Sequence, residues 1–64
     1  MKRFYLRLDK RVNDLVYVVF QGPMVAKSNQ DAIRLAIEFR DALEITNVEL
    51  RTERGREIHP GLGW

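Results

Sequence analysis

The sequence predicts a single small α+β domain: an antiparallel sheet in ββαββ order with one helix packed on one face. Three observations carry that expectation. Residues 3–9 alternate polar and apolar, residues 15–20 form an unbroken β-branched and aromatic run, and residues 28–44 repeat apolar side chains at spacings of three and four. The chain has 64 residues, of which 45% are hydrophobic and 31% charged, a globular composition. That length admits one core and not two.

The first strand is half-buried, because Phe4, Leu6 and Leu8 alternate with Arg3, Tyr5, Arg7 and Asp9. The second, Leu15 to Phe20, has no polar face and suits a strand covered on both sides. Between them Arg11, Val12 and Asn13 can form a three-residue loop, with Asn13 left-handed. That loop would set Leu8 against Val16, Leu6 against Val18 and Phe4 against Phe20. A four-residue loop would instead turn Leu15, Tyr17 and Val19 inward, since a one-residue slip exchanges the faces. The first register is preferred because it leaves the phenolic hydroxyls near water. Gly22 and Pro23 are expected to end the strand, Pro being unable to donate to a ladder.

Ser28 followed by Asp31 has the spacing of a capping box and opens the helix. Ala32, Leu35, Ala36, Phe39, Ala42 and Leu43 form its apolar stripe, with Arg34, Glu38 and Asp41 opposite. Ile33 and Ile37 lie beside the stripe and widen the apolar arc beyond what one small sheet requires. Past Thr46 and Asn47, Val48, Leu50 and Thr52 alternate with Glu49, Arg51 and Glu53 as a third strand. Glu53, Arg54 and Gly55 fit a hairpin loop with Gly55 at the position needing positive φ. The return, 56–59, sets Ile58 across from Leu50. The domain is thus expected over 1–59, with 60–64 a flexible C-terminal tail. The expected core is Leu6, Val18, Phe20, Ala36, Phe39, Leu43, Leu50 and Ile58.

A domain this small buries about 60% of its unfolded surface and needs reinforcement. Cysteine is absent and His59 is the single histidine, so disulfides and zinc sites are excluded and neither cofactor nor metal is expected. A partner is the remedy left. The nucleophiles are Ser28, Thr46 and Thr52, with Ser28 already used as a cap, and His59 sits beside Pro60 where no third group orients it. The carboxylates stand at ion-pair spacing from arginines, and Gly61–Leu62–Gly63 lacks the helix a phosphate cradle requires. The chain is expected not to be an enzyme. Its longest apolar run is too short to span a bilayer, no membrane role is expected, and the default location is cytoplasmic.

The formal net charge is +2, unevenly spread. Lys2, Arg3, Arg7, Lys10 and Arg11 stand against Asp9 alone in the first strand region, whereas acids outnumber bases along the helix. Arg3, Tyr5, Arg7 and Tyr17 are expected to converge on the outer face of the first hairpin, with Lys10 and Arg11 at its loop. Aromatic rings beside cations suit a protein interface, and they also suit base stacking with phosphate contact. A protein partner is the first expectation, nucleic acid the alternative. A second surface, Ile33 and Ile37 with Arg40 and Glu44, fits a helix-to-helix contact in a two-fold homodimer or a larger complex, Arg40 of one copy meeting Glu44 of the other. A third reading is therefore an oligomer-forming structural subunit. Leu62 or Trp64 folding back over the two isoleucines is the competing arrangement. In size and style the chain is similar to small accessory proteins of phages and mobile elements, an analogy that implies an inhibitor or adaptor occluding a macromolecular partner.

Overall fold

A computed structural model describes residues 1–60. The elements run β1 (Lys2–Val12), β2 (Leu15–Ala26), α1 (Asn29–Leu43) and β3 (Asn47–Thr52). The three strands form one antiparallel sheet in the order β2-β1-β3, with α1 on one face. Gly61, Leu62, Gly63 and Trp64, and with them the expectations for the tail, lie outside the described residues.

Alternation in β1 is realised as read, with Phe4, Leu6 and Leu8 each 2–3% exposed beneath the helix. The hairpin is longer and tighter than expected. Val12 pairs with Leu15, leaving Asn13 and Asp14 as the turn, and Asn13 takes the left-handed φ of 57°. Asn and Asp both serve tight turns, so the strand need not surrender Arg11 and Val12 to a loop. Leu8 consequently faces Phe20, Leu6 faces Gly22 and Phe4 faces Met24, in place of Val16, Val18 and Phe20. One extra residue, Val19, is accommodated as a bulge between the Leu8–Phe20 and Asp9–Val18 pairs. The strand also continues through Gly22 and Pro23 to Ala26. Proline is tolerated because β2 is an edge strand.

Ser28 caps α1 as predicted: its Oγ accepts the Asp31 amide at 3.1 Å, and Asp31 Oδ2 accepts the Lys27 amide at 3.2 Å. The helix stops at Glu44, left-handed at φ 53°, with Ile45 N donating to Arg40 O at 2.9 Å. Its closest contact with the sheet is made by two alanines, Ala32 and Ala36, both 0% exposed. β3 lies on the far side of β1, pairing Leu50 with Leu6 and Val48 with Leu8.

The fourth strand is not formed as such. Gly55 turns the chain at φ 87°, Thr52 N donates to Arg56 O at 2.8 Å and Ile58 N to Leu50 O at 2.8 Å. Only the Arg51–Glu57 bridge results. The return segment offers the core one apolar side chain before Pro60, so a longer ladder would bury nothing more. The order is ββαβ with a bridged return, and Ile58 packs against the core as expected.

The core itself shifts from the expected set. It comprises Phe4, Leu6, Leu8, Ala26, Ala32, Ala36, Ile45, Val48 and Leu50. Leu6, Ala36 and Leu50 were expected there, but Val18, Phe20, Phe39 and Leu43 are 42–50% exposed. The cause is placement of the helix. Alanines at 32 and 36 let α1 settle over the sheet where the C-terminal half of β2, with Met24 and Ala26, completes the core, and Phe39 and Leu43 are left at the edge of the packed region.

Candidate functional site

Placement of α1 leaves the N-terminal half of β2 uncovered. Every residue from Leu15 to Phe20 is at least 42% exposed. The register divides them between two faces, because residues paired across a ladder share a face and neighbours alternate. Tyr17 pairs with Lys10, whose Nζ reaches Leu43 O at 3.3 Å, so it lies on the helix side with Phe20, the partner of Leu8. Val16 and Val18 pair with Arg11 and Asp9 and lie on the outer side. The bulge brings Val19 to the helix side beside Phe20. Both faces of this half of β2 are therefore apolar and wet.

On the helix side the exposed residues border an apolar groove of about 370 Å³. Val19 and Phe20 form one wall, Phe39 and Leu43 the other, over a floor of Leu6 and Leu8. Leu15–Phe20 with Phe39 and Leu43 leave on the order of 700 Å² of surface in water. That area is divided between the two faces of the sheet, with Val16 and Val18 on one and the rest on the other.

The outer face behaves differently from the expectation for it. Arg3, Tyr5 and Arg7 do share that face, but Tyr17 lies on the other one and the four do not converge. Arg7 and its neighbour Arg51 are paired locally. Arg7 Nε donates to Asp9 Oδ1 at 3.1 Å, which satisfies a carboxylate whose residue is 8% exposed. Across the ladder, Arg51 donates to Glu49 Oε1 at 2.6 and 2.9 Å, and this bond holds the guanidinium pKa above its ordinary value. Gln21 Nε2 donates to the Tyr5 hydroxyl. Lys10 sits 3.7 Å from Glu44 on the helix side, and the Arg11 amide donates to Thr46 Oγ1 at 3.0 Å.

The proposed helix flank is likewise engaged. Ile33 packs against the core and Ile37 is half-buried. Arg40 pairs with Asp41 at 3.1 Å and Glu44 with Lys10, so the reciprocal Arg40–Glu44 exchange would compete with contacts already made.

A second cleft, of about 650 Å³, opens at the other end of the molecule, where the start of β1 meets the β3 turn. Lys2, Arg3, Arg54 and Arg56 line it with Glu53, and among the described residues none of the four cations pairs with a carboxylate. Sequence reasoning missed both surfaces. The apolar one had a signal, the two-sided run Leu15–Phe20, but that run was read as interior. Among the described residues no group of three or more His, Asp or Glu is placed to hold a metal ion, and no helix is long and apolar enough to cross a membrane. Set against protein-family models, curated proteins and solved structures, the chain matches none.

Proposed function

We propose that the chain is a small non-enzymatic protein-interaction module that docks through the exposed half of β2, residues 15–20, and the C-terminal half of α1. The observation that carries the reading is the exposure of Leu15–Phe20 on both faces of the strand, with Val19, Phe20, Phe39 and Leu43 bordering the apolar groove. Leaving so large an apolar area in water costs free energy at about 25 cal/mol per Å², and a protein partner recovers it. Aromatic and aliphatic anchors grouped around a pocket are the composition of an interface centre. Acting as an adaptor or as an inhibitor that occludes a partner's surface fits such a module. A photo-crosslinking residue at position 18, compared with one at position 38 on the solvent side of α1, tests it in the source cell. Protein adducts from position 18 and none from position 38 are expected. Protein adducts from position 38 alone, or none from either, would refute the reading.

The basic cleft supports a second reading, nucleic-acid binding, because Lys2, Arg3, Arg54 and Arg56 stand together without a carboxylate partner among the described residues. Its test is a titration with nucleic acid across salt concentrations. Arg3→Ala and Arg54→Ala should each lower the slope of log affinity against log salt by about one. Slopes that do not move exclude the cleft.

A further inference from the structure

We propose that the partner at the apolar surface is a second copy of this chain, joined edge to edge through β2 about a two-fold axis. The inference rests on the interaction-module reading and names its occupant. Four features favour this occupant.

The first is the open edge. Among the described residues β2 has β1 on one side only, so its other side presents backbone N–H and C=O groups with no strand opposite. The opposite edge of the sheet differs, since the C-terminal half of β3, Leu50 to Thr52, is bonded to the returning segment 56–58.

The second is the lack of protection. Edge strands in monomers are guarded by charges, above all lysine, and Leu15–Ala26 contains no charged residue. Pro23 cannot donate, which confines an added ladder to residues 15–22. Within that stretch two copies meet without like-charge repulsion, and a partner of either charge gains nothing there.

The third is two-sided apolarity. Val16 and Val18 on one face and Leu15, Tyr17 and Phe20 on the other are the composition of a central strand. Antiparallel pairing of β2 with its copy makes both strands central in a six-stranded sheet. The two-fold then runs perpendicular to the sheet, which keeps both helices on one side and joins the two grooves walled by Phe39 and Leu43.

The fourth is area. A stable specific interface takes about 800 Å² from each partner, and Leu15–Phe20 with Phe39 and Leu43, counted over both faces, expose on the order of 700 Å². The helix buries only two residues fully, both alanines, with Ile33 and Leu35 partly buried beside them, and association is a means of covering more apolar surface.

Sedimentation equilibrium of the purified chain over micromolar concentrations tests the proposal. The wild type should approach twice the 7.5 kDa chain mass. Val16→Lys and Val18→Lys, each at a half-exposed position and checked for unchanged circular dichroism, should raise the dissociation constant at least about tenfold. Val25→Lys, beyond Pro23, should leave it unchanged. A wild type that stays monomeric throughout overturns the proposal. So does a dimer that survives both lysine variants and is broken by Ile37→Glu on the helix flank. If the wild type is monomeric while the crosslinker at position 18 captures a different protein, only the second copy is lost. If position 18 captures no protein, the interaction reading falls with it.

Discussion

Glu44 holds a left-handed backbone at φ 53°, where an L side chain costs about 1–2 kcal/mol and glycine nothing. Its exposed carboxylate, 3.7 Å from Lys10 Nζ, recovers little of that. Glu44→Gly should therefore raise stability by about 0.5–1 kcal/mol, after allowing for the greater freedom of glycine in the unfolded chain. A urea midpoint at or below the wild-type value would contradict this. At the other end of the helix, Asp31 accepts bonds from Arg34 at 2.7 Å and from the Lys27 amide, and these hold its pKa below the usual carboxylate value. A pKa lowered by folding stabilises the native state above the unfolded value, and the gain is lost as pH falls through the folded one. Asp31→Asn should flatten that part of the acid limb of the melting profile. An acid limb identical to wild type would show that Asp31 does not contribute. The cap was legible because Ser28 and Asp31 carry a local spacing that needs no knowledge of the fold. Glu44 was not, since nothing in its side chain announces a left-handed residue.

At the scale of elements the hairpin marks the boundary of what the chain pattern determines. Alternation identified β1, the apolar run identified β2, and Gly55 identified the turn after β3, each from a local rule. The register depended on choosing Asn13 and Asp14 over a longer loop, and the bulge at Val19 then displaced it again. Both choices exchange or shift faces, so Val18 moved outward and Phe20 away from Phe4. The helix stripe gave the right face but not the depth: Phe39 and Leu43 belong to it, yet Ala32 and Ala36 occupy the contact. A substitution series reads this depth directly. In a Val16→Lys background, which removes association, Leu6→Ala should cost about 2–5 kcal/mol and unfold the domain. Phe39→Ala, starting from a side chain already 42% exposed, should cost well under the 3–5 kcal/mol of a buried phenylalanine. Equal losses at the two positions would place Phe39 in the monomer core.

For the whole molecule, the α+β class and the helix on one sheet face were readable from periodicity, while strand order and the reduced fourth strand were not. Order is set by long-range pairing, and no residue in β3 states that its neighbour is β1. The candidate site was legible only in part. That a chain this small and without cysteine must find stability in a partner points to an interface, expected on Tyr17 with Arg3, Tyr5 and Arg7 and on the Ile33–Ile37 flank. The folded chain pairs Arg7 with Asp9, turns Tyr17 to the other face, and exposes the segment whose composition is that of an interior strand. A strand with interior composition at an open edge is a conflict between local sequence and monomer fold, and such conflicts mark functional surfaces. In the proposed dimer a second copy pairs with residues 15–22 in the native state. Hydrogen–deuterium exchange of that segment, compared between wild type and Val18→Lys at high concentration, measures this most directly. The account predicts wild-type amides protected on both edges of β2 and a gain of fast-exchanging amides within 15–22 in the variant, with β1 unchanged. Equal exchange across residues 15–22 in the two proteins would contradict it.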